Sequence, residues 1–199
     1  MTEDKQYLEI ECKYNADDIS RIVFKDLVQS FNPKKFIYVE STDIYYALNE
    51  NAFLRHRLPA KNKLSGEEDR AELTLKKKHI DQNNWKRTEV NLRVDLNDAD
   101  LVKAFCEGLD HKKNFSIEKS CDIYFFDDGD IVYYTVKDEN GKYATFVEIE
   151  ANEDVGMTPE QSWEVIVKYE KMLLPLGITP QKRKKLSLWE MYRKGFKGE

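Results

Sequence analysis

The sequence predicts an α+β fold in which antiparallel β-sheet dominates. Three observations support this prediction. Strand-like segments outnumber helical ones, apolar and polar residues alternate along most of the strands, and turns containing Gly and Asp separate several of them. The chain of 199 residues has no internal repeat and no flexible linker. We therefore expect one domain spanning 1–199.

Local sequence patterns predict strands and helices in a definite order along the chain. A first strand at 7–14 precedes a helix at 16–31, for which Asn15 is the expected N-cap. A polar, Gly-containing stretch at 61–69 is expected to be a loop. The other predicted strands are 36–48, 52–58, 71–78, 86–96, 116–126, 130–137 and 144–151, with turns at 127–130 and 138–142. The other predicted helices are 99–109, 159–174 and 184–196.

The balance of charges limits the function classes. Charged residues make up 35% of the chain, against about 25% in an average protein. Because 32 Lys and Arg nearly balance 37 Asp and Glu, the net charge is only −5, which argues against a long nucleic acid as partner. Cys12, Cys106 and Cys121 show no metal or disulfide spacing. With no signal peptide and no apolar span, a cytoplasmic protein without membrane contact is expected.

The charged residues lie on one face of several predicted strands. Side chains alternate across a strand, so residues two apart share a face. Five strands carry such charged sets, and some place like charges together: Glu9 with Glu11, Arg55 with Arg57, and Glu148 with Glu150. A solvated sheet face is the simplest explanation for any one strand. Like charges side by side repel, however, so an exposed face would be expected to intersperse the signs.

A closed sheet would turn this charged face into the lining of a lumen. Carboxylates are oxygen ligands suited to Mg²⁺ or Mn²⁺, whereas Arg and Lys suit phosphate oxygens. The residues alone therefore predict a metal-dependent polyphosphate site. A zinc site is not expected, because His56, His79 and His111 are isolated, and His56 should point to the outer face. The sequence also lacks a nucleophile triad pattern and a Gly-rich phosphate loop.

Several short motifs resemble those of one family. They are Glu9-Ile10-Glu11-Cys12-Lys13, Thr42-Asp43-Ile44-Tyr45-Tyr46, Leu54-Arg55-His56-Arg57, Thr74-Leu75-Lys76, Arg87-Thr88-Glu89 and Phe146-Val147-Glu148-Ile149-Glu150. Their order and spacing resemble the CYTH superfamily, named for class IV adenylyl cyclase and thiamine triphosphatase, and also called triphosphate tunnel metalloenzymes. The resemblance covers 7–151, and the segment 184–193 resembles the usual ending of the family.

The resemblance implies a closed, antiparallel, eight-stranded β-barrel with flanking α-helices. It implies hydrolysis of a triphosphate compound by in-line attack of water on its terminal phosphorus, with Mg²⁺ or Mn²⁺ as cofactor. The implied metal ligands are Glu9, Glu11, Glu148 and Glu150, and the implied catalytic residues are Glu9, Glu11 and Lys13. The implied substrate-binding residues are Lys13, Arg55, Arg57, Lys76, Arg87 and Lys119.

The sequence departs from the family pattern at three places. Asn91 stands where a second Glu is usual, and Cys121 stands where an Arg is usual in a Lys-x-Arg pair that begins at Lys119. Asp138 is the nearest candidate for an Asp that usually precedes the Phe-Val-Glu-Ile-Glu strand. These departures put the efficiency of catalysis in question more than substrate binding.

Further residues have alternative interpretations. Lys78 and Glu89 are additional lumen candidates, and Asp43 is either a lumen residue or a turn former. Other residues are expected to be ion-paired fillers or to lie at the mouths of the lumen (Glu72, Arg93), at a solvated helix end (Arg183, Lys185), or in barrel packing (Tyr45, Tyr46, Tyr133, Tyr134).

Three other functions remain open. A class IV adenylyl cyclase would use the same scaffold to make cyclic AMP from ATP. Asn91 and Cys121 favour a non-catalytic binder of nucleotides or polyphosphate, and a purely structural sheet protein is the third alternative. The expected partner is a small triphosphate compound or an RNA 5′-triphosphate end, and a monomer or homodimer is expected.

Overall fold

The computed structural model describes residues 8–67, 71–78, 86–95, 99–111, 113–152 and 156–193. Its strands are β1 (Leu8–Asn15), β2 (Lys35–Ala47), β3 (Ala52–Arg57), β4 (Lys61–Asn62), β5 (Ala71–Lys78), β6 (Lys86–Val94), β7 (Lys113–Phe125), β8 (Gly129–Asp138), β9 (Tyr143–Ala151) and β10 (Arg183–Lys184). Its α-helices are α1 (Arg21–Gln29), α2 (Ala99–Gly108), α3 (Pro159–Met172) and α4 (Leu188–Tyr192), and short 3₁₀ turns lie at Leu174–Leu176 and Pro180–Lys182.

Eight strands form a closed barrel. Their order around it is β1, β6, β5, β3, β2, β7, β8 and β9, and β9 pairs with β1 to complete the ring. Every neighbouring pair is antiparallel. The short strands β4 and β10 lie outside the ring, on β2 and β1. The predicted α+β barrel with flanking helices is confirmed, and its closure removes the exposed sheet edges.

The predicted start of the first helix is wrong. The helix begins at Arg21 with Ser20 as its N-cap, not at Ala16 with Asn15. Asn15 instead ends β1, where it pairs with Phe146 of β9, and the backbone N–H of Ala16 donates to the Thr145 carbonyl at 2.8 Å. Pairing with β9 thus uses the residues that local sequence assigns to the first helical turn.

The predicted C-terminal elements are partly right. Helix α3 begins as predicted, with Thr158 and Gln161 forming a reciprocal capping box. The predicted helix at 184–196 is wrong at its start, because Arg183 and Lys184 pair with β1 and the helix begins after Ser187. Its predicted end lies outside the described residues.

The predicted loop at 61–69 also contains the two-residue strand β4.

The β8–β9 turn explains Asp138. Its carboxylate accepts the backbone N–H groups of Asn140 and Lys142 at 2.8 and 2.9 Å, and Gly141 has a positive φ of 76°. Asp138 therefore caps a turn of the kind the sequence predicts here. Its carboxylate is committed to this turn, so its match to the family's Asp position is not supported.

Three apolar clusters stabilise the barrel. One lies outside it, where α1 and α3 cover β1, β8 and β9 through residues such as Phe24, Ile166 and Tyr169. A second joins Val102 and Cys106 of α2 to strand residues such as Leu54 and Leu73. The third lies at one end of the lumen, where Leu188, Trp189 and Tyr192 of α4 pack with Phe53, Phe115 and other aromatic residues. Helix α4 therefore forms a floor at this end of the lumen. No helix among the described residues has the length and apolar character needed to cross a membrane.

Candidate functional site

The lumen contains a cavity of about 280 Å³ above the floor formed by α4. Strand alternation points one charged set inward from each of several strands, as the sequence predicts. Nine of the ten residues predicted as metal ligands, catalytic groups or substrate-binding groups line this cavity, and Arg87 does not. The nine are Glu9, Glu11, Lys13, Arg55, Arg57, Lys76, Lys119, Glu148 and Glu150. Arg87 lines a small neighbouring cavity beside α4.

The carboxylates are concentrated where β1 and β9 meet. Glu11 lies opposite Glu150 in the register of these strands, and Lys13 lies opposite Glu148. The Lys13 ammonium group bridges Glu148 at 2.5 Å and Glu11 at 3.7 Å. Arg87 donates to Glu11 from the neighbouring strand β6. The structure therefore brings the four predicted metal ligands to one side of the lumen.

Lys76 joins this group from β5, which is separated from β1 only by β6. Its ammonium group lies 2.7 and 2.8 Å from the two carboxylate oxygens of Glu9, and 2.5 Å from Glu89. Glu89 is thus a lumen residue, as one of the alternatives predicts. Although burial acts to raise it, Lys76 lowers the pKa of Glu89 to about 2.

The two arginines of β3 have different surroundings. Arg57 makes a two-point ion pair with the fully buried Asp43, at 2.7 and 2.9 Å. Asp43 is therefore a buried lumen partner, not a turn former. Arg55 donates to Glu72 at 3.1 Å and to Thr74 at 2.9 Å through Nη2. Its buried Nε has no hydrogen-bond partner among the described residues.

Lys119 differs from the other cations that line the cavity. It is only 8% exposed, and its ammonium group lies 4.2 Å from the centroid of the Tyr134 ring. Within the described part of the chain, no carboxylate lies within ion-pairing distance of Lys119. A buried positive charge without an anionic partner is costly, and an anionic ligand would offset that cost.

The cavity has more carboxyl groups than cations. Among the described residues, its lining includes seven carboxylates and five cations. Burial and the neighbouring Glu11 raise the pKa of Glu9 well above its usual value, against the opposing effect of Lys76. Burial and Glu11 likewise raise the pKa of Glu150 to about 8. Glu11 itself has a lowered pKa, since Arg87 and Lys76 outweigh its burial.

The donor set fits a divalent cation by its chemistry. It offers carboxyl oxygens, which hard cations prefer, and a bound cation would favour the ionised forms of Glu9 and Glu150, whose pKa values are raised. In the described ranges, however, no three Asp, Glu, His or Cys side chains are grouped closely enough to hold a metal ion. Lys76 and Lys13 occupy the oxygens of Glu9 and Glu148 instead.

A comparison with known protein families shows to which family the chain belongs. The sequence profile of the CYTH domain matches residues 7–181. The chain belongs to the CYTH domain family. This is a family of triphosphate tunnel proteins that includes triphosphatases and adenylate cyclases and depends on divalent metal. Among the curated proteins searched, none matches the chain.

Solved structures share this CYTH fold at low sequence identity. A conserved hypothetical protein of Pyrococcus furiosus is 24% identical, with 92% of this chain and 98% of that chain covered and a TM-score of 0.71. A Vibrio parahaemolyticus protein assigned as an adenylate cyclase is 16% identical, with 94% and 98% covered and a TM-score of 0.57. A chain of the Schizosaccharomyces pombe Mediator head module is 12% identical, with 85% and 94% covered and a TM-score of 0.59. These similarities concern the fold.

The lumen of this CYTH protein also contains residues that the sequence did not single out. Asp130, predicted to end a turn, lies on β8 opposite Glu150 and lines the cavity. Burial raises its pKa to about 6. Tyr45, expected only in packing, also lines the cavity, as do several apolar residues. The alternation of Asp130 with Val132 and Tyr134 was the available signal for Asp130.

The remaining candidates have structural roles. Lys78 binds Glu190 of α4 at 3.0 Å and so ties the floor to the barrel. Arg183 makes a two-point ion pair with Glu170 at 2.9 and 2.6 Å, whereas Lys185 is exposed.

The side chain of Asn91 accepts a hydrogen bond from the Thr74 hydroxyl at 2.7 Å. His56 is buried and does not line the cavity, in agreement with its predicted outward direction.

Proposed function

We propose that this protein is a metal-dependent triphosphatase that hydrolyses a triphosphate compound inside its barrel. The candidate compounds are inorganic tripolyphosphate, a nucleoside triphosphate and thiamine triphosphate. One observation carries the proposal. A buried ammonium group that has no carboxylate partner among the described residues, that of Lys119, lines the same cavity as the carboxylates of β1 and β9. Such a cavity can accept phosphate oxygens and a divalent cation together.

Two groups are positioned to bind the phosphate chain first. Lys119 has no competing carboxylate among the described residues, and Arg55 Nε is a buried donor without a partner. Phosphate oxygens would give both groups the acceptors that the protein does not supply. Arg57 is held by the buried Asp43, so its role is to add positive charge at a fixed position. Lys13 and Lys76 already have partners and would share them with the ligand.

The carboxylates Glu9, Glu11, Glu148 and Glu150 would hold the metal. When bound, a divalent cation supplies charge stabilisation to phosphate oxygens and lowers the pKa of water. The chain's own residues orient these ligands: Lys76 contacts Glu9, Arg87 contacts Glu11, and Lys13 contacts Glu148. Loss of these supports would leave the carboxylates free to rotate away from one another.

The enclosure of the cavity suits hydrolysis of a terminal phosphoanhydride. The floor formed by α4 limits access to one end. Lys119, Arg55 and Lys13 would neutralise charge that shifts from the terminal phosphoryl group to the leaving diphosphate. Buried cations are effective there because the low local dielectric strengthens their interaction with charge that develops during the reaction.

One observation favours a second candidate function, a non-catalytic binder of polyphosphate compounds. The carboxylates are engaged in ion pairs, and the described residues contain no assembled group of three that could hold a metal. A binder would need the cations of the cavity but not a metal centre. Its signature is a rise in melting temperature on adding ligand, without turnover.

The experiment that separates these functions is a product-resolved assay. Purified full-length protein is incubated with tripolyphosphate, ATP or thiamine triphosphate, each with Mg²⁺, Mn²⁺ or EDTA. The proposal predicts metal-dependent orthophosphate release, with ADP as the product from ATP. Cyclic AMP and pyrophosphate from ATP would instead identify an adenylyl cyclase. Ligand-dependent stabilisation without any product would identify a binder.

A further inference from the structure

The cavity has two unlike walls. Most of its charged side chains come from β1, β9, β3, β5 and β6, and two more are Lys119 on β7 and Asp130 on β8. The strands β2, β7 and β8 contribute a group that we call the apolar wall, which consists of Val39, Cys121, Ile123, Phe125 and Val132. This division was not predicted, because inward apolar residues of a strand resemble ordinary core residues in the sequence.

The apolar wall is one continuous surface. Val39 lies opposite Cys121 across β2 and β7, and Ile123 lies opposite Val132 across β7 and β8. Residues opposite one another in adjacent strands are in side-chain contact. Val132 in turn lies opposite Glu148, so the apolar wall borders the carboxylates directly. The apolar wall also borders Lys119, the proposed phosphate-binding residue, since Lys119 and Cys121 are two residues apart on the inward face of β7.

The apolar wall is not closed off by packing. Val39, Ile123, Phe125 and Val132 are half-buried and line the cavity, in contrast to the fully buried aromatic residues near the floor. A purely inorganic polyphosphate would leave this surface in contact with water, and its oxygens would find no hydrogen-bond donor there. An apolar group that covers the wall would remove that surface from water.

We propose that the substrate is a triphosphate ester with an apolar organic group. The organic group lies on the apolar wall, and the phosphate chain lies among Lys119, Arg55 and the carboxylates. This inference rests on the proposed function for its phosphate end, and it adds the substrate class. Inorganic tripolyphosphate is then a poor substrate, because it would leave the apolar wall in contact with water.

Cys121 is the specificity-determining position in this account. It occupies the place where the family motif has an Arg, and its side chain lies within the apolar wall. A buried thiol behaves as a small apolar group. An arginine at this position would add a second cation next to Lys119 on β7, and it would leave less apolar surface for an organic group.

The test compares benzyl triphosphate, methyl triphosphate and inorganic tripolyphosphate on full-length protein with Mg²⁺ or Mn²⁺. Rates of phosphate release give kcat/KM, and calorimetry gives Kd. We expect benzyl triphosphate to exceed methyl triphosphate by about tenfold or more in both measures, as apolar pockets discriminate by this order. The substitution Cys121→Arg should reverse the preference toward tripolyphosphate. Ile123→Ser should bring the benzyl-to-methyl ratio close to one.

The matched control is Leu92→Ser, a similar change at an exposed site that does not line the cavity. It should keep the wild-type ratio. If Ile123→Ser does not fold, Val132→Thr provides a change of the same shape and should also lower the ratio. Equal values for benzyl and methyl triphosphate in wild-type protein would overturn the inference while hydrolysis confirms the proposed function. If no compound is hydrolysed, the proposed function fails, and the calorimetric Kd ratio still decides the inference.

Discussion

The ammonium group of Lys119 on β7 lies over the ring of Tyr134 on β8, 4.2 Å from the ring centroid. Both side chains are buried. The ring face attracts the cation but does not neutralise it. Because no described carboxylate pairs with Lys119, this contact keeps a positive charge available at the cavity wall. The proposed binding of an anion in the cavity depends on this contact between Lys119 and Tyr134.

Lys119→Met should therefore weaken binding of a triphosphate. We expect the Kd for tripolyphosphate to rise about 10- to 100-fold, since a hydrogen bond to a charged group contributes roughly 1.5–3 kcal/mol. The melting temperature of the ligand-free protein should not fall, because the change removes a buried charge that no carboxylate of the described residues pairs with. Isothermal titration calorimetry and thermal melts check both expectations. The control Lys137→Met alters a more exposed lysine on β8, and an equal loss of affinity there would contradict the assignment.

Asp43→Ala should destabilise the barrel. Asp43 is fully buried and makes a two-point ion pair with Arg57. Its removal leaves the guanidinium group without its partner, and the expected loss in free energy of unfolding is about 3 kcal/mol. Urea unfolding measures it. Glu118→Ala breaks an exposed ion pair with Lys137 and should cost under about 1 kcal/mol. Similar losses in the two variants would refute the structural role of Asp43.

The metal-free protein should lose stability as the pH rises through neutrality. Burial and Glu11 raise the pKa of Glu150 to about 8 in the fold, from a usual value of 4.5. Between these two pH values the folded protein binds the extra proton, so a rise in pH favours the unfolded chain. Urea unfolding in EDTA at several values between pH 5 and 8.5 measures the slope.

Glu150→Gln should flatten that slope, because the amide cannot ionise. The exposed Glu118→Gln is the matched control and should keep the wild-type slope. If Glu150→Gln and wild-type protein show the same dependence on pH, the carboxyl of Glu150 is already ionised in the fold. The raised pKa that burial and Glu11 give to Glu150 would then be refuted.

Trp189→Ala should open the floor of the cavity and destabilise the protein. Trp189 is 2% exposed, and its ring stacks on that of Phe53 at a centroid distance of 5.1 Å. Loss of a buried Trp costs about 3–5 kcal/mol in free energy of unfolding. Leu186→Ala changes an exposed residue just before the helix and should have little effect. A loss of less than about 1 kcal/mol for Trp189→Ala would show that α4 does not close the barrel.

The charged part of the site could be predicted from the sequence, because residues two apart on the same strand must point to the same face. Glu9 and Glu11 must share a face, as must Arg55 and Arg57, and the family motifs selected the inward face. The ion pairs between strands, such as Lys76 with Glu9, depend on barrel register and were not accessible from spacing. The apolar wall was also missed, because the inward direction of Ile123 becomes evident only when the barrel closes.

Errors at the helix ends have the same origin. Asn15 is a good N-cap by local preference, but pairing with Phe146 of β9 keeps it in the strand. Arg183 and Lys184 have helical neighbours, yet pairing with β1 and the ion pair with Glu170 keep Arg183 extended. In both cases a contact with a distant part of the chain outweighs the local propensity.

The central claim is metal-dependent hydrolysis in the barrel, and one measurement tests it most directly. Orthophosphate release from a triphosphate compound is followed for wild-type protein, Glu9→Gln and the control Glu118→Gln, with Mg²⁺, Mn²⁺ or EDTA. The account predicts release by wild-type protein and Glu118→Gln with metal only, and a loss of at least about 100-fold in Glu9→Gln, the order seen when a key electrostatic group is removed. Wild-type turnover in Glu9→Gln, or equal turnover in EDTA, would contradict it.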